Sequence, residues 1–157
     1  GSMYEGGIRV PFIAVGPNIK PGSVSRIPVT GLDLFPTMAD LAGYSHQLPN
    51  TLDGGSLKNL LQNQGRGTIQ RINPYLIFHQ AVARKAQTSL RLGDFKLIKT
   101  WDGNRLELFD MSKSLSEKNN IAKKLPSKTD ELHKMMIQFL SEVGAETRKT
   151  TFKKKNQ

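Results

Sequence analysis

The sequence contains no cysteine, a single tryptophan and only three histidines. The first absence excludes disulfides and thiolate metal sites, yet leaves the compartment open, because exported proteins also do without cysteine. His46, His79 and His133 are scattered, with none of the spacings that bring two imidazoles onto one metal ion. A glycine-rich phosphate loop of the standard patterns is missing too. No apolar run approaches the roughly 18 residues of a membrane span, and the N-terminus lacks a basic-then-apolar leader. Gly1-Ser2-Met3 reads equally as native sequence and as a cloning scar followed by an initiator methionine.

What is present suits one domain or two small ones: 157 residues, 37% of them hydrophobic, enough for a modest core. The net charge of +10 is uneven, since residues 84–157 hold 17 basic and 9 acidic side chains and residues 1–83 hold 6 and 4. Such a surplus is compatible with a polyanion partner, whether nucleic acid, sulfated glycan or anionic membrane, although dispersed charge of this kind commonly faces water. The densest cluster is the tail, with Arg148, Lys149, Lys153, Lys154 and Lys155. Phe152 is its one aromatic residue, which argues against a single-strand nucleic-acid binder.

Near the start, "YEGGIRVPF" puts Gly6-Gly7 ahead of an apolar run, Val10 to Val15, that stops at Gly16-Pro17. This pattern predicts a loop feeding a buried strand. A buried strand needs neighbours on both sides, and only Gly1-Ser2-Met3 precedes the loop, so the chain reads as cut from a larger architecture. Left unpaired, such a strand invites self-association. "GLDLFPTMADLAG" then predicts a helix with Asp33 as N-cap, Pro36 in the first turn, and an apolar stripe of Leu34, Phe35, Met38, Leu41 and Ala42 closed by Gly43. Tyr44 to Asn73 is irregular apart from a short helical candidate at Ser56–Gln62, and a boundary is expected within Gln64–Asn73.

The second half changes character. Tyr75–Phe78, Thr88–Leu92, Phe95–Trp101 and Arg105–Asp110 alternate in polarity and are joined by Gly93-Asp94 and Asp102-Gly103-Asn104. They predict an antiparallel meander with one face buried. Its cover is a last helix in which Leu132, Met135, Met136, Phe139, Leu140 and Val143 recur at helical intervals up to Gly144, with Ser127 and Asp130 at capping-box spacing. The fold class is therefore α+β, a four-stranded antiparallel sheet covered by a long C-terminal helix, preceded by the last strand-helix elements of a truncated α/β domain.

Five segments in order, "GSMYEGGIRVPFI", "LDLFPTMADLAG", "LDGGSL", "RLGDFKLI" and "ELFDMSKSLSEKNNIA", make the chain from about Ser2 to Val143 resemble the C-terminal part of the sulfatase family. The resemblance implies the alkaline phosphatase superfamily, with a large α/β domain that carries the active site and a smaller sheet-and-helix subdomain. It divides this chain into 1–68, the end of the large domain, 69–147, the subdomain, and 148–157, a basic tail. It further implies a full-length enzyme that hydrolyses sulfate esters of small molecules or glycans, in a periplasmic, secreted or lysosomal setting. In such proteins the Tyr-Glu-Gly-Gly motif follows a catalytic lysine. The formylglycine, the Asp/Asn ligands of Ca²⁺ and the sulfate-contacting histidines also belong upstream, so neither cofactor is expected on this chain. One departure from the pattern is Ser114-Leu115-Ser116, where relatives often have Asp-Pro.

Accordingly no catalytic and no metal-binding residue is assigned here, and the chain alone is expected to be inactive. The candidate substrate-binding residues are His79, Arg84 and Lys85, at and just beyond the end of the Tyr75–Phe78 strand in "HQAVARKAQTS". A solvated basic loop is the plainer account of the same residues. His46 and His133 are read as solvated, and Glu5 and Arg9 as structural. Two alternatives stand beside the sulfatase reading: a non-enzymatic polyanion- or glycan-binding module resting on the basic tail, and another hydrolase of the superfamily, such as a phosphonate monoesterase.

Overall fold

Alternation decides the second half of the chain. In the computed structural model, which describes residues 2–81 and 86–147, β1 (Leu76–Gln80), β2 (Gln87–Leu92), β3 (Phe95–Thr100) and β4 (Arg105–Asp110) form one antiparallel sheet in the order β1-β2-β3-β4. Ile77, Leu90, Leu97 and Leu108 lie in one row across it. The β2–β3 turn is made by Gly93 and Asp94, and Gly93 supplies the positive φ, 58°, that a two-residue hairpin asks of its first turn residue.

Helix α4 (Pro126–Glu142) covers that row, so that Leu90, Leu97, Leu108, Leu132, Met136 and Leu140 make one buried cluster. Its start differs from the capping-box expectation. Pro126 occupies the first turn, where its missing N–H costs nothing, and no side chain caps the helix. Instead the Thr129 hydroxyl donates back to the carbonyls of Leu125 (2.9 Å) and Ala122 (3.2 Å). The stop is as expected: Gly144 takes φ 59°, and the N–H groups of Gly144 and Ala145 close on the carbonyls of Ser141 and Leu140.

The meander was expected to bury one face, but it buries both. On the side away from α4, Ile98, Phe109 and Met111 pack with Met3, while Tyr4, Ile8 and Phe78 border them. Met3, Tyr4 and Ile8 flank the one-turn helix α1 (Glu5–Ile8) or end it. The contacts of the chain accordingly divide it into two compact units, Gly1–Val10 with Tyr75–Gln157, and Pro11–Pro74. The opening residues pack on the sheet although the whole of the other unit intervenes in sequence.

In the Pro11–Pro74 unit, the apolar run expected as a buried strand forms none. Residues 11–15 have no strand pairing, and Ile13 and Val15 are 84% and 93% exposed. The physical reason is simple, since no strand lies alongside among the described residues of this unit to supply ladder partners. Helix α2 (Leu34–Leu41) is present, entered through a 3-10 turn at Gly31–Asp33, and α3 (Lys58–Gln62) lies within the expected short helix. The apolar stripe of α2 is bare, for Leu34, Phe35, Met38 and Leu41 are all exposed.

Candidate functional site

His79, the central candidate, lies on β1 opposite Thr88 of β2. Its Nδ1 is 2.7 Å from the Thr88 hydroxyl and its Nε2 is 2.7 Å from the carbonyl of Glu146, just past the end of α4. A carbonyl only accepts, so Nε2 carries a proton, and in the neutral ring Nδ1 accepts from Thr88. The same Thr88 oxygen accepts the indole N–H of Trp101 at 2.9 Å. The result is a chain from Trp101 through Thr88 and His79 to Glu146, with the Trp101 and His79 rings edge-on at 6.2 Å. In this geometry both ring nitrogens are engaged by the protein itself. Arg84 and Lys85, the other two candidates, lie outside the described residues, as does the basic tail.

Around this chain the helix-facing side of the sheet turns polar. Lys99, paired in register with Thr88, extends its ammonium over the Trp101 ring at 5.0 Å and donates to Asn104 at 2.5 Å. His133 of α4, read from sequence as solvated, has instead a buried Nε2 without a hydrogen-bond partner among the described residues. Burial holds its pKa below the ordinary histidine value, the positive charge of Lys99 adds to that, and Asp130 opposes it. These groups offer hydrogen bonds and positive charge. Among the described residues no cluster of three or more His, Asp or Glu side chains could hold a metal ion.

Two further polar clusters escaped the sequence reading. In the first unit Lys96 is buried between Glu5 and Glu117, at 2.7 and 2.8 Å. Glu5, read from sequence as structural, thus has Lys96 as its ion-pair partner. Strand parity carried a signal for this, because Lys96 shares its side of β3 with Ile98, which is buried. In the second unit Asp33 is fully buried and, rather than capping α2 in the expected way, receives Arg71 Nε at 2.7 Å and Nη2 at 2.6 Å. The N–H groups of Gly55 (3.0 Å) and Thr30 (2.8 Å) complete its shell. Burial is the largest single influence on this carboxyl and pushes its pKa up, but Arg71 and the two N–H groups outweigh it and hold the value below the usual one.

A four-stranded meander closed by a helix, in a chain whose other unit is built around "LDLFPT" and "LDGGSL", defines a C-terminal sulfatase part. The chain belongs to the family described as N-sulphoglucosamine sulphohydrolase, C-terminal, whose model matches residues 2–146. It is 34% identical over 144 residues to arylsulfatase K of Danio rerio, covering 86% of this chain and 26% of that protein. Arylsulfatase K of Homo sapiens is 33% identical over 147 residues, 89% of this chain and 27% of the relative. Among solved structures, a putative sulfatase from Bacteroides thetaiotaomicron aligns with a TM-score of 0.57 and 26% identity over 70% of this chain and 24% of its own. A protein solved in complex with its substrate D-glucosamine-2-N,6-O-disulfate aligns with a TM-score of 0.55 and 27% identity, covering 69% of this chain and 23% of that one. The chain spans about a quarter of the length of the curated relatives it matches.

Proposed function

We propose that this chain is the C-terminal part of a sulfuric ester hydrolase acting on a sulfated sugar, comprising the sheet-and-helix subdomain and the last elements of the large domain, and that it supports a catalytic centre carried by other residues of the same enzyme. The observation behind this reading is the family match across residues 2–146, joined to sulfatase relatives of which the chain spans about a quarter. In the whole enzyme, residues 1–68 would belong to the end of the large α/β domain, with residues 1–10 reaching onto the sheet of the subdomain 69–147, and 148–157 would be a basic tail. A sulfated glycan is favoured over a simple aryl sulfate because one structural neighbour was solved with a disulfated glucosamine and another is described as a 2-O GAG sulfatase. A secreted or lysosomal setting follows from the same kinship, and no helix of the described residues is long and apolar enough to cross a membrane.

Formylglycine and Ca²⁺ supply sulfatases with a nucleophile and with charge neutralisation at the sulfate. The residues here fit neither group, since cysteine is absent, no Ser-x-Pro-x-Arg occurs, and the described carboxylates and imidazoles form no metal cluster. What the chain contributes is binding: His79 anchors the β1 end of the β1–β2 connection, and Arg84 and Lys85 give that connection the charge to meet a sulfate or uronate on the sugar. The bare run Val10–Val15 and the exposed side of α2 are the surfaces through which the isolated chain would self-associate.

Joining the chain to the upstream sequence of its own gene should produce Ca²⁺-dependent hydrolysis of a sulfated sugar, while residues 1–157 alone should show none. Turnover by the short chain, or none by the long one on a panel of aryl sulfates and sulfated sugars, would overturn the reading. Within the long form, unchanged kcat/KM in both His79→Ala and Arg84→Ala would remove the loop from the substrate site.

A further inference from the structure

Three of the segments that carry the family resemblance, "YEGG", "GDFKLI" and "SEKNN", meet at one ammonium group. Lys96 of β3 has a side chain only 1% exposed, and its Nζ lies between Glu5 Oε1 and Glu117 Oε1. Glu117, 4% exposed at its side chain, spends its other oxygen on the backbone N–H of Glu5 at 2.6 Å. It does so from φ 51°, a left-handed conformation that a non-glycine residue adopts at a cost and keeps where its surroundings over-determine it. One residue away, the Tyr4 hydroxyl bonds Glu107 Oε2, and Met3 N–H reaches Gln87 Oε1 at 3.3 Å. Gly7 fits against the backbone of Ser2, where a Cβ would collide, so the turn that presents Glu5 is tight.

Apolar packing by Met3 and Ile8 would hold this segment on the sheet without any of these charges, and a buried ion pair commonly stabilises less than apolar side chains of equal volume. Apolar packing is non-directional and so is tolerant of small displacements. An ammonium that must meet two carboxylates is not. We propose that Glu5, Lys96 and Glu117 form a charge lock whose role is to hold residues Ser2–Arg9 in one register on the outer face of the sheet, rather than to stabilise the sheet-and-helix core. The lock does not depend on the sulfatase reading, and it gives a common reason for three motifs that are distant in sequence.

Amide hydrogen exchange on residues 1–157 separates the two roles. The probes are Gly7, Ile8 and Arg9, whose N–H groups bond Tyr4 and Glu5 carbonyls, with Leu90 and Leu97 as core references. Glu5→Gln, which keeps the side chain's length, should speed exchange at the probes by about 10-fold and leave the references within twofold; Lys96→Met should speed the probes by about 100-fold or more. Replacing all three with methionine should recover the unfolding midpoint lost in Lys96→Met, yet leave the probes fast and give Tyr4 more than one set of resonances. Equal acceleration of probes and references in Glu5→Gln, or a triple variant with native probe protection and one set of resonances, would overturn the proposal.

Discussion

Helices α2 and α4 are both amphipathic and both stopped by a glycine, but they sit in the two units in opposite senses. In α4 the apolar stripe is inside, with Leu132 and Met136 wholly buried on the sheet. In α2 the polar stripe is inside. Asp33, Thr37 and Asp40, spaced along one helix face, hold the segment from Gly55 to Lys58: Asp33 through the Gly55 N–H, Thr37 through the Leu57 N–H at 2.8 Å, Asp40 through the Ser56 hydroxyl at 2.6 Å and Lys58 at 3.1 Å. Gly54 and Gly55 permit this approach, because a Cβ on either would strike the backbone of Leu32 or Gln70. Around α4 the one unit is thus organised by apolar burial, and around α2 the other is held by hydrogen bonds to buried polar groups, which teaches that an amphipathic pattern announces two faces without saying which one this chain will cover.

Mutations can break that contrast, and the largest effect belongs to the polar unit. Asp33→Ala would strand the Arg71 guanidinium together with the Gly55 and Thr30 N–H groups, and should cost about 3–5 kcal/mol of local stability, read as lost exchange protection at Gly55. The same carboxylate sets an acid limit. Its folded pKa is depressed, so its contribution is complete above the ordinary value of 3.8 and is lost as pH falls through the lower folded value. Acid unfolding of wild type should therefore begin in this unit below that pH, and a Gly55 amide that stays protected there would contradict the assignment.

Next comes the apolar unit. Leu132→Ala should cost about 2–5 kcal/mol in urea unfolding, while Met38→Ala on the bare side of α2 should stay within about 0.5 kcal/mol. Equal costs would erase the distinction between the helices. Phe139, expected from its periodicity to be core, sits half-buried and edge-on to Tyr75 at 5.9 Å, so Phe139→Ala should fall between those two values. Gly144→Ala forces a side chain into the left-handed C-terminal position and should cost about 1 kcal/mol.

The smallest effect is the titration of His133. A histidine with a depressed folded pKa takes up its proton more readily in the unfolded chain, so stability falls as pH drops from the ordinary value of 6.5 through the lower folded value. His133→Gln should flatten that slope, and an unchanged pH profile would show that the ring is not desolvated as described.

Much of the apolar unit was legible in advance. Leu90, Leu97 and Leu108 alternate with polar neighbours between turns that only glycine and its polar companions make well, and Leu132, Met136 and Leu140 recur at helical spacing. The His79 environment was not legible. Thr88 is recognisable only as its opposite residue once the register is known, and the Glu146 carbonyl reaches it from the far end of the chain. Lys96 and the pairing of Asp33 with Arg71 were missed for a related reason, because a charged side chain does not announce a partner that lies 91 or 38 residues away until the two are brought alongside.

The sequence by itself determined the local matters: where strands alternate, where glycine ends a helix, and which segments share their order with sulfatases. Those depend on side-chain period and backbone freedom, which act over a few residues. Only the tertiary structure decided that the sheet would be covered on both faces, that α2 would bury its polar side, and that Glu5, Lys96 and Glu117 would share one site. Desolvation and pairing of charge are properties of a place rather than of a residue, and the place exists only when distant parts of the chain have met.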